Sequence, residues 1–397
     1  MSNTKTIPWL RTRLSAQMFL QFAIWGAWAP VLANHLNHLK FTGEQIGFVY
    51  LTGALGTAIS PLIAGQIADR WFSTERFLGV SYLMTGAMLY LMADATAYAD
   101  VWWLALAGML FFGPTLGLAN ALSFHHLENA ERDFPRVRLF GTIGWIAANW
   151  ILSWWLEGAD DRPWADCLRL GAIFAALNGL YCFSLPHTPP RGEAQERFAV
   201  GKVLKMLADP SFSVFSAVAF LLLVFATFYY TFAGLFFEVG LKLTKEQVPR
   251  VASIGQTMEI VMMWILPFFL LRLGFKTTIA IGIAAWGLRF GIFALGEPTA
   301  LVIVSQGLHG VCFAFAIAAA MIYVERISPK DVRGSAQSFL AFMTYGLGMI
   351  VGNISCAKVA GHYGQYWQGI WTVPAAGCFV ALLIFLIGFK ARDKQES

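Results

Sequence analysis

The feature that most limits this chain is a succession of apolar runs, each close to the ~20 residues an α-helix needs to cross a bilayer. Read between charged punctuation, the runs fall near 14–34, 44–68, 76–95, 100–124, 138–157, 167–186, 212–235, 250–271, 277–295, 299–323, 334–356 and 367–389. Little chain is left over to clothe a water-facing surface. Charged residues make up 13% and hydrophobic residues 57%, where a soluble domain carries about 25% charged residues. The fold class expected is therefore an all-α membrane protein with twelve transmembrane helices.

Lysine and arginine give the orientation, because cytoplasmic loops are enriched in both. With both termini on the cytoplasmic side, 20 of the 28 fall in inner segments and 7 in outer ones, while Arg289 lies inside a run. The N-terminus starts polar, from Ser2 to Arg13, with no apolar core followed by a cleavage site. The first apolar run is thus expected to be a retained helix. Between Pro186 and Ser211 lies a helix-free stretch with Pro189, Pro190 and mixed charges. Six runs precede it and six follow. This predicts two six-helix bundles, 1–186 and 212–397, joined by a cytoplasmic linker over 187–211, with a ligand held between them near mid-membrane.

Composition also narrows function. The five cysteines sit apart in apolar stretches, without metal-ligand or disulfide-framework spacing. The net charge of +5 suits loops beside anionic lipid. No basic stretch is interleaved with exposed aromatics, so nucleic acid is not an expected partner. Nor are there paired catalytic carboxylates, a phosphate loop, cofactor motifs or a placed Ser/His/Asp set. A membrane-embedded transferase is the different-class alternative, and it lacks a soluble loop large enough for an active site. No cofactor and no enzyme activity are expected.

After the second run the sequence reads Gly65-Gln66-Ile67-Ala68-Asp69-Arg70-Trp71. This resembles the G-x-x-x-D-R signature of the major facilitator superfamily. The resemblance implies a gating role for Gly65, Asp69 and Arg70: close helix approach at the glycine, and an ion pair with helix-dipole contact at the charges. A plain charged turn is the alternative. Phe72 stands near the position of the signature's second glycine, and only Arg272-Leu273-Gly274 echoes the motif in the second half.

A narrower likeness follows the chain in order. Gln21-Phe22-x-x-Trp25-Gly26 lies in the first run, Pro114-Thr115-Leu116-Gly117 in the fourth, and Asp133-Phe134-Pro135 through Arg138-x-x-Gly141-Thr142-x-Gly144-Trp145 opens the fifth. Gln256-x-x-Glu259, Trp286-x-x-Arg289 and His309-Gly310 follow. These segments are similar to the bacterial nucleoside:proton symporter family. The resemblance implies a nucleoside pocket from Arg138, Thr142, Trp145, Gln256, Glu259, His309 and Phe313. Aromatic rings stack on a flat base, and an amide and a carboxylate meet its edge and the ribose hydroxyls. Two family amides correspond here to Thr227 and Tyr230, and the family's coupling acid corresponds to Ala314.

Glu259 is the one acid well inside a predicted span of the second half. A charge there costs at least about 2.5 kcal/mol and is seldom idle. Glu259 and His309 are the proton-coupling candidates. Glu259 has the alternative of a structural pair with Arg289, and His309 that of a ligand contact or an interhelical donor. The sequence thus reads as a secondary transporter importing nucleosides by alternating access with protons. A carrier of another polar solute such as a sugar, or an uncoupled facilitator, is the alternative. The setting is the bacterial inner membrane, multi-pass, as a monomer in the lipid bilayer.

Overall fold

The computed structural model describes residues 9–158, 161–189, 206–329 and 332–391, with only the backbone described for 60–71 and 130–131. The expected linker over 187–211 thus falls mostly outside the described residues. Every regular element is helical, as apolar surroundings demand, since only a helix or a closed barrel satisfies its own backbone there.

The first half holds α1 (Leu10–Trp28), α2 (Leu32–His38), α3 (Gly43–Trp71), α4 (Thr74–Asp94), α5 (Tyr98–His126), α6 (Ala130–Leu156) and α7 (Asp166–Cys182). The second holds α8 (Pro210–Leu235), α9 (Gln247–Leu295), α10 (Thr299–Ser305), α11 (Leu308–Val311), α12 (Ala319–Ile327), α13 (Arg333–Ala341), α14 (Met349–Tyr363) and α15 (Trp367–Gly388). π-helical turns at Phe236–Gly240, Cys312–Ala318 and Phe342–Gly348 interrupt the second half. Among the described residues, nine helices are long and apolar enough to cross a membrane.

Two expected spans, 250–271 and 277–295, run together in the 49-residue α9. Gly274 breaks it at φ 73°, ψ 174°, a conformation essentially reserved for glycine. The signature run after the second span is helical as well: α3 continues through Trp71 and stops before Ser73. Gly65, Asp69 and Arg70 therefore occupy the last turns of α3, and their side chains lie outside the described residues.

Several helix starts are set locally. Asp209 accepts from the N–H groups of Ser211 and Phe212, with Pro210 at the first turn of α8. Thr42 and Gln45 cap each other reciprocally at α3, satisfying donors the helix leaves orphaned.

The chain divides into two compact units, the described residues of Met1–Leu32 with Leu55–Gln195, and those of Ala33–Ala54 with Glu196–Ser397. In the first unit α1 and α6 pack with almost no side chain between them. A Cβ on Gly144 would lie 2.1 Å from the Phe19 carbonyl oxygen, and one on Gly26 would lie 2.8 Å from the Trp145 Cα. In the second unit, the early segment contributes Asn34, whose Nδ2 donates to the Gly234 carbonyl and to Glu238 Oε2 at 3.1 and 2.7 Å. His38 Nε2 lies 3.3 Å from the other oxygen of Glu238, and Lys358 pairs with Glu44. Gly47 backs directly on Ala357.

Candidate functional site

Each unit carries its own polar cluster among apolar helices. In the first, Arg138, Thr142, Trp145 and Asn149 recur along one face of α6, as positions three and four apart do. The Arg138 guanidinium lies 4.0 Å above the Phe22 ring of α1. Trp145 meets Trp25 edge-on at 5.7 Å, and its buried indole N–H has no hydrogen-bond partner. Thr142 is half-buried between them. Behind these sits a buried network: Gln17 Nε2 donates to Gln21 Oε1 and reaches Tyr82 Oη, each at 3.1 Å. Sequence reasoning singled out Gln21 but missed Gln17 and Tyr82. Their signal was the same, polar atoms inside apolar runs.

Asp133, from the D-F-P run, has an anchoring role at the start of α6. It is buried and takes Arg11 at 3.3 Å and Arg132 at 3.0 Å, with Arg136 4.0 Å away.

The second unit gathers Tyr230, Gln256, Glu259 and His309. His309 is 1% exposed. Its Nε2 lies 4.0 Å from Glu259 Oε2, and its ring packs 5.2 Å from Tyr229 and 6.4 Å from Tyr230. Gln256, one turn before Glu259, has a buried Oε1 without a hydrogen-bond partner. Close approach of α9 and α11 holds these groups together, since a Cβ on Gly310 would sit 2.3 Å from the Met258 carbonyl oxygen. Phe313 follows on the π turn, half-buried and without a ring contact among the described residues.

Thr227 stands apart. Its Oγ1 donates to the Leu223 carbonyl of its own helix at 2.7 Å, and it faces Gly352 of α14. Arg289 is not paired with Glu259. It is 0% exposed and donates to His309 Nδ1 at 3.0 Å and to Gln306 Oε1 at 2.5 Å, stacked 3.8 Å above Tyr229. Gln306 and Tyr229 were not singled out from sequence. Gln306 was legible as a lone amide in an apolar run, whereas Tyr229 was hidden in Thr227-Phe228-Tyr229-Tyr230, where the helix register decides which side chain turns inward.

The family model for the nucleoside H+ symporter matches residues 9–394. This chain belongs to the nucleoside H+ symporter family. Members are transporters, so the chain is a membrane carrier and not an enzyme. Among relatives, the putative nucleoside transporter YegT of Escherichia coli (strain K12) is 33% identical, covering 96% of this chain and 94% of that protein. The nucleoside permease NupG of the same organism is 31% identical over 96% of both chains. A crystal structure of nucleoside transporter NupG superposes with a TM-score of 0.85 at 28% identity, covering 96% of this chain and all of that one (100%). The D-xylose-proton symporter, at 12% identity and a TM-score of 0.70 over 96% of this chain, shares the fold.

Proposed function

We propose that this protein imports nucleosides together with protons by alternating access. The observation that carries the reading is the second-unit cluster, in which Gln256, Glu259 and His309 converge inside apolar helices of a nucleoside symporter family member. Polar groups at such depth are costly and belong to substrate and proton paths. Arg138, Thr142 and Trp145 supply a cation, a hydroxyl and a ring for the nucleoside. Tyr230, Gln256, Glu259, His309 and Phe313 supply ligand-facing groups of the second unit, and Thr227 serves by fixing α8 against Gly352. Glu259 carries the coupling proton in the place that the family's acid leaves to Ala314.

The reading extends to topology. Counting α9 as two spans at Gly274, and adding α3 and α7 to the remaining long helices, gives the twelve spans of two six-helix bundles, 1–186 and 212–397. Trp264, Leu271 and Ile387, exposed at 83, 88 and 82%, then face lipid. Both termini lie in the cytoplasm of a bacterial cell, the carrier acts as a monomer in the inner membrane, and Gly65, Asp69 and Arg70 latch its inner gate.

Uptake of a nucleoside panel by proteoliposomes, with and without an imposed pH gradient, tests the function. Accumulation of uridine or adenosine only with the gradient is expected. Uptake of a sugar in preference to every nucleoside would overturn the substrate, and gradient-independent accumulation the coupling. Glu259→Gln is expected to abolish concentrative uptake while leaving nucleoside counterflow within about threefold, because an amide can still hydrogen-bond the ligand but cannot release a proton.

A further inference from the structure

Arg289 is the one fully buried lysine or arginine among the described residues, and no carboxylate pairs with it. Its charge is met by His309, Gln306 and the faces of Tyr229, Phe293 and Trp286 at 3.8, 5.4 and 5.8 Å. A guanidinium has only donors and stays charged. At the 3.0 Å contact with His309 Nδ1 the ring nitrogen must therefore accept. A neutral imidazole that accepts at Nδ1 carries its hydrogen on Nε2, and Nε2 is the nitrogen that faces Glu259 at 4.0 Å.

The ring has little freedom to escape this choice. A Cβ on Gly255 would lie 3.0–3.1 Å from His309 side-chain atoms, so α9 lies flat against the ring. Tyr229 covers it on another side at 5.2 Å. The Arg289 fork is itself fixed, since Gln306 Oε1 accepts from Nη2 at 2.5 Å and from the Tyr229 hydroxyl at 3.3 Å. A proton on Nδ1 would displace the arginine bond, and a second proton added there to the Nε2–H ring would also set two cations face to face. The other titratable groups around the ring are Glu259 on α9 and Tyr230 on α8, the latter within electrostatic reach of Tyr345 and Arg289.

We propose that Arg289 is a positioning residue that locks His309 in its Nε2–H form, making His309 a dedicated hydrogen-bond donor toward Glu259 and toward an acceptor oxygen or nitrogen of the ligand. The coupling proton is then left to Glu259. The inference rests on the reading of this cluster as the substrate- and proton-binding wall, and it assigns the wall a fixed polarity. His309 gives a hydrogen, while Glu259 and the unpartnered Gln256 Oε1 receive them.

The lock is measured without substrate by nitrogen NMR of histidine-labelled protein in nanodiscs, with His309→Gln identifying the resonances. The expected spectrum shows a bare Nδ1 and a protonated Nε2 from about pH 6 to about pH 8, where an ordinary imidazole changes charge. Arg289→Lys keeps this pattern, and Arg289→Leu yields mixed tautomers or a titrating ring. A protonated Nδ1 in the unaltered protein, or an unchanged pattern in folded Arg289→Leu, overturns the lock. A second pair of variants covers the case in which Arg289→Leu does not fold. Glutamine places its amide nitrogen near Nε2 and asparagine near Nδ1. His309→Gln should retain about tenfold more gradient-driven uptake than His309→Asn, the scale of one missing buried hydrogen bond. Equal uptake by the two overturns the donor role, and loss of gradient dependence in His309→Gln makes His309 the proton carrier. If no nucleoside is transported by the unaltered protein while the tautomer stands, the functional reading fails and the lock survives.

Discussion

Trp145 shows what a single residue contributes. Its ring is held edge-on by Trp25, and α6 carries it one turn from Thr142 and two from Arg138. Stacking of a base on an aromatic face is worth about 1–3 kcal/mol. Trp145→Ala is therefore expected to raise the apparent nucleoside Kd by about 5- to 150-fold, and Trp145→Phe by much less, as measured by isothermal titration. Glu259, His309 and Trp145 were legible because ionisable groups and motif positions stand out in apolar runs. Arg289 was visible too, but its partner was not: sequence offered Glu259, and the structure puts His309 between them. Spacing along a chain cannot rank two acceptors that arrive from different helices. Thr227 was named from its position, but its hydrogen bond to the Leu223 carbonyl of its own helix was not legible, since a threonine can satisfy itself locally.

At the scale of elements, helix existence followed from apolar length, and the segmentation of the second half did not. The three π turns and the continuous α9 depend on how neighbouring helices pack, which no local pattern encodes. Gly274 was noticed only as part of a weak motif echo, yet it ends one limb of α9 and starts the next. Gly274→Ala is expected to cost about 1–3 kcal/mol for the strained backbone, read as a lower Tm by fluorescence-detected size exclusion. Gly144→Ala should also lower Tm, because the added methyl meets the Phe19 carbonyl and overpacking costs about 1–3 kcal/mol. Gly117→Ala on α5, which meets nothing within 4 Å, is the control and should leave Tm unchanged or slightly raised.

For the whole molecule, the family, the carrier class and the multi-pass architecture were readable because they rest on repeated, redundant signals: many apolar runs and many motif residues in order. Membership of a compact unit was not, because it is decided by tertiary contacts. Residues Ala33–Ala54 belong to the unit that is otherwise built from the second half, held there by Asn34 on Glu238, Lys358 on Glu44 and Gly47 on Ala357. The polypeptide thus passes from one unit to the other three times. A gene cut inside the linker would consequently yield two fragments of unequal independence. The downstream fragment, 196–397, is expected to be degraded when produced by itself, because it lacks the strap that covers Ala357 and hydrogen-bonds Glu238. Co-production with 1–195 should restore both its abundance on immunoblots and nucleoside uptake, whereas co-production with a version of 1–195 carrying Gly47→Leu should not.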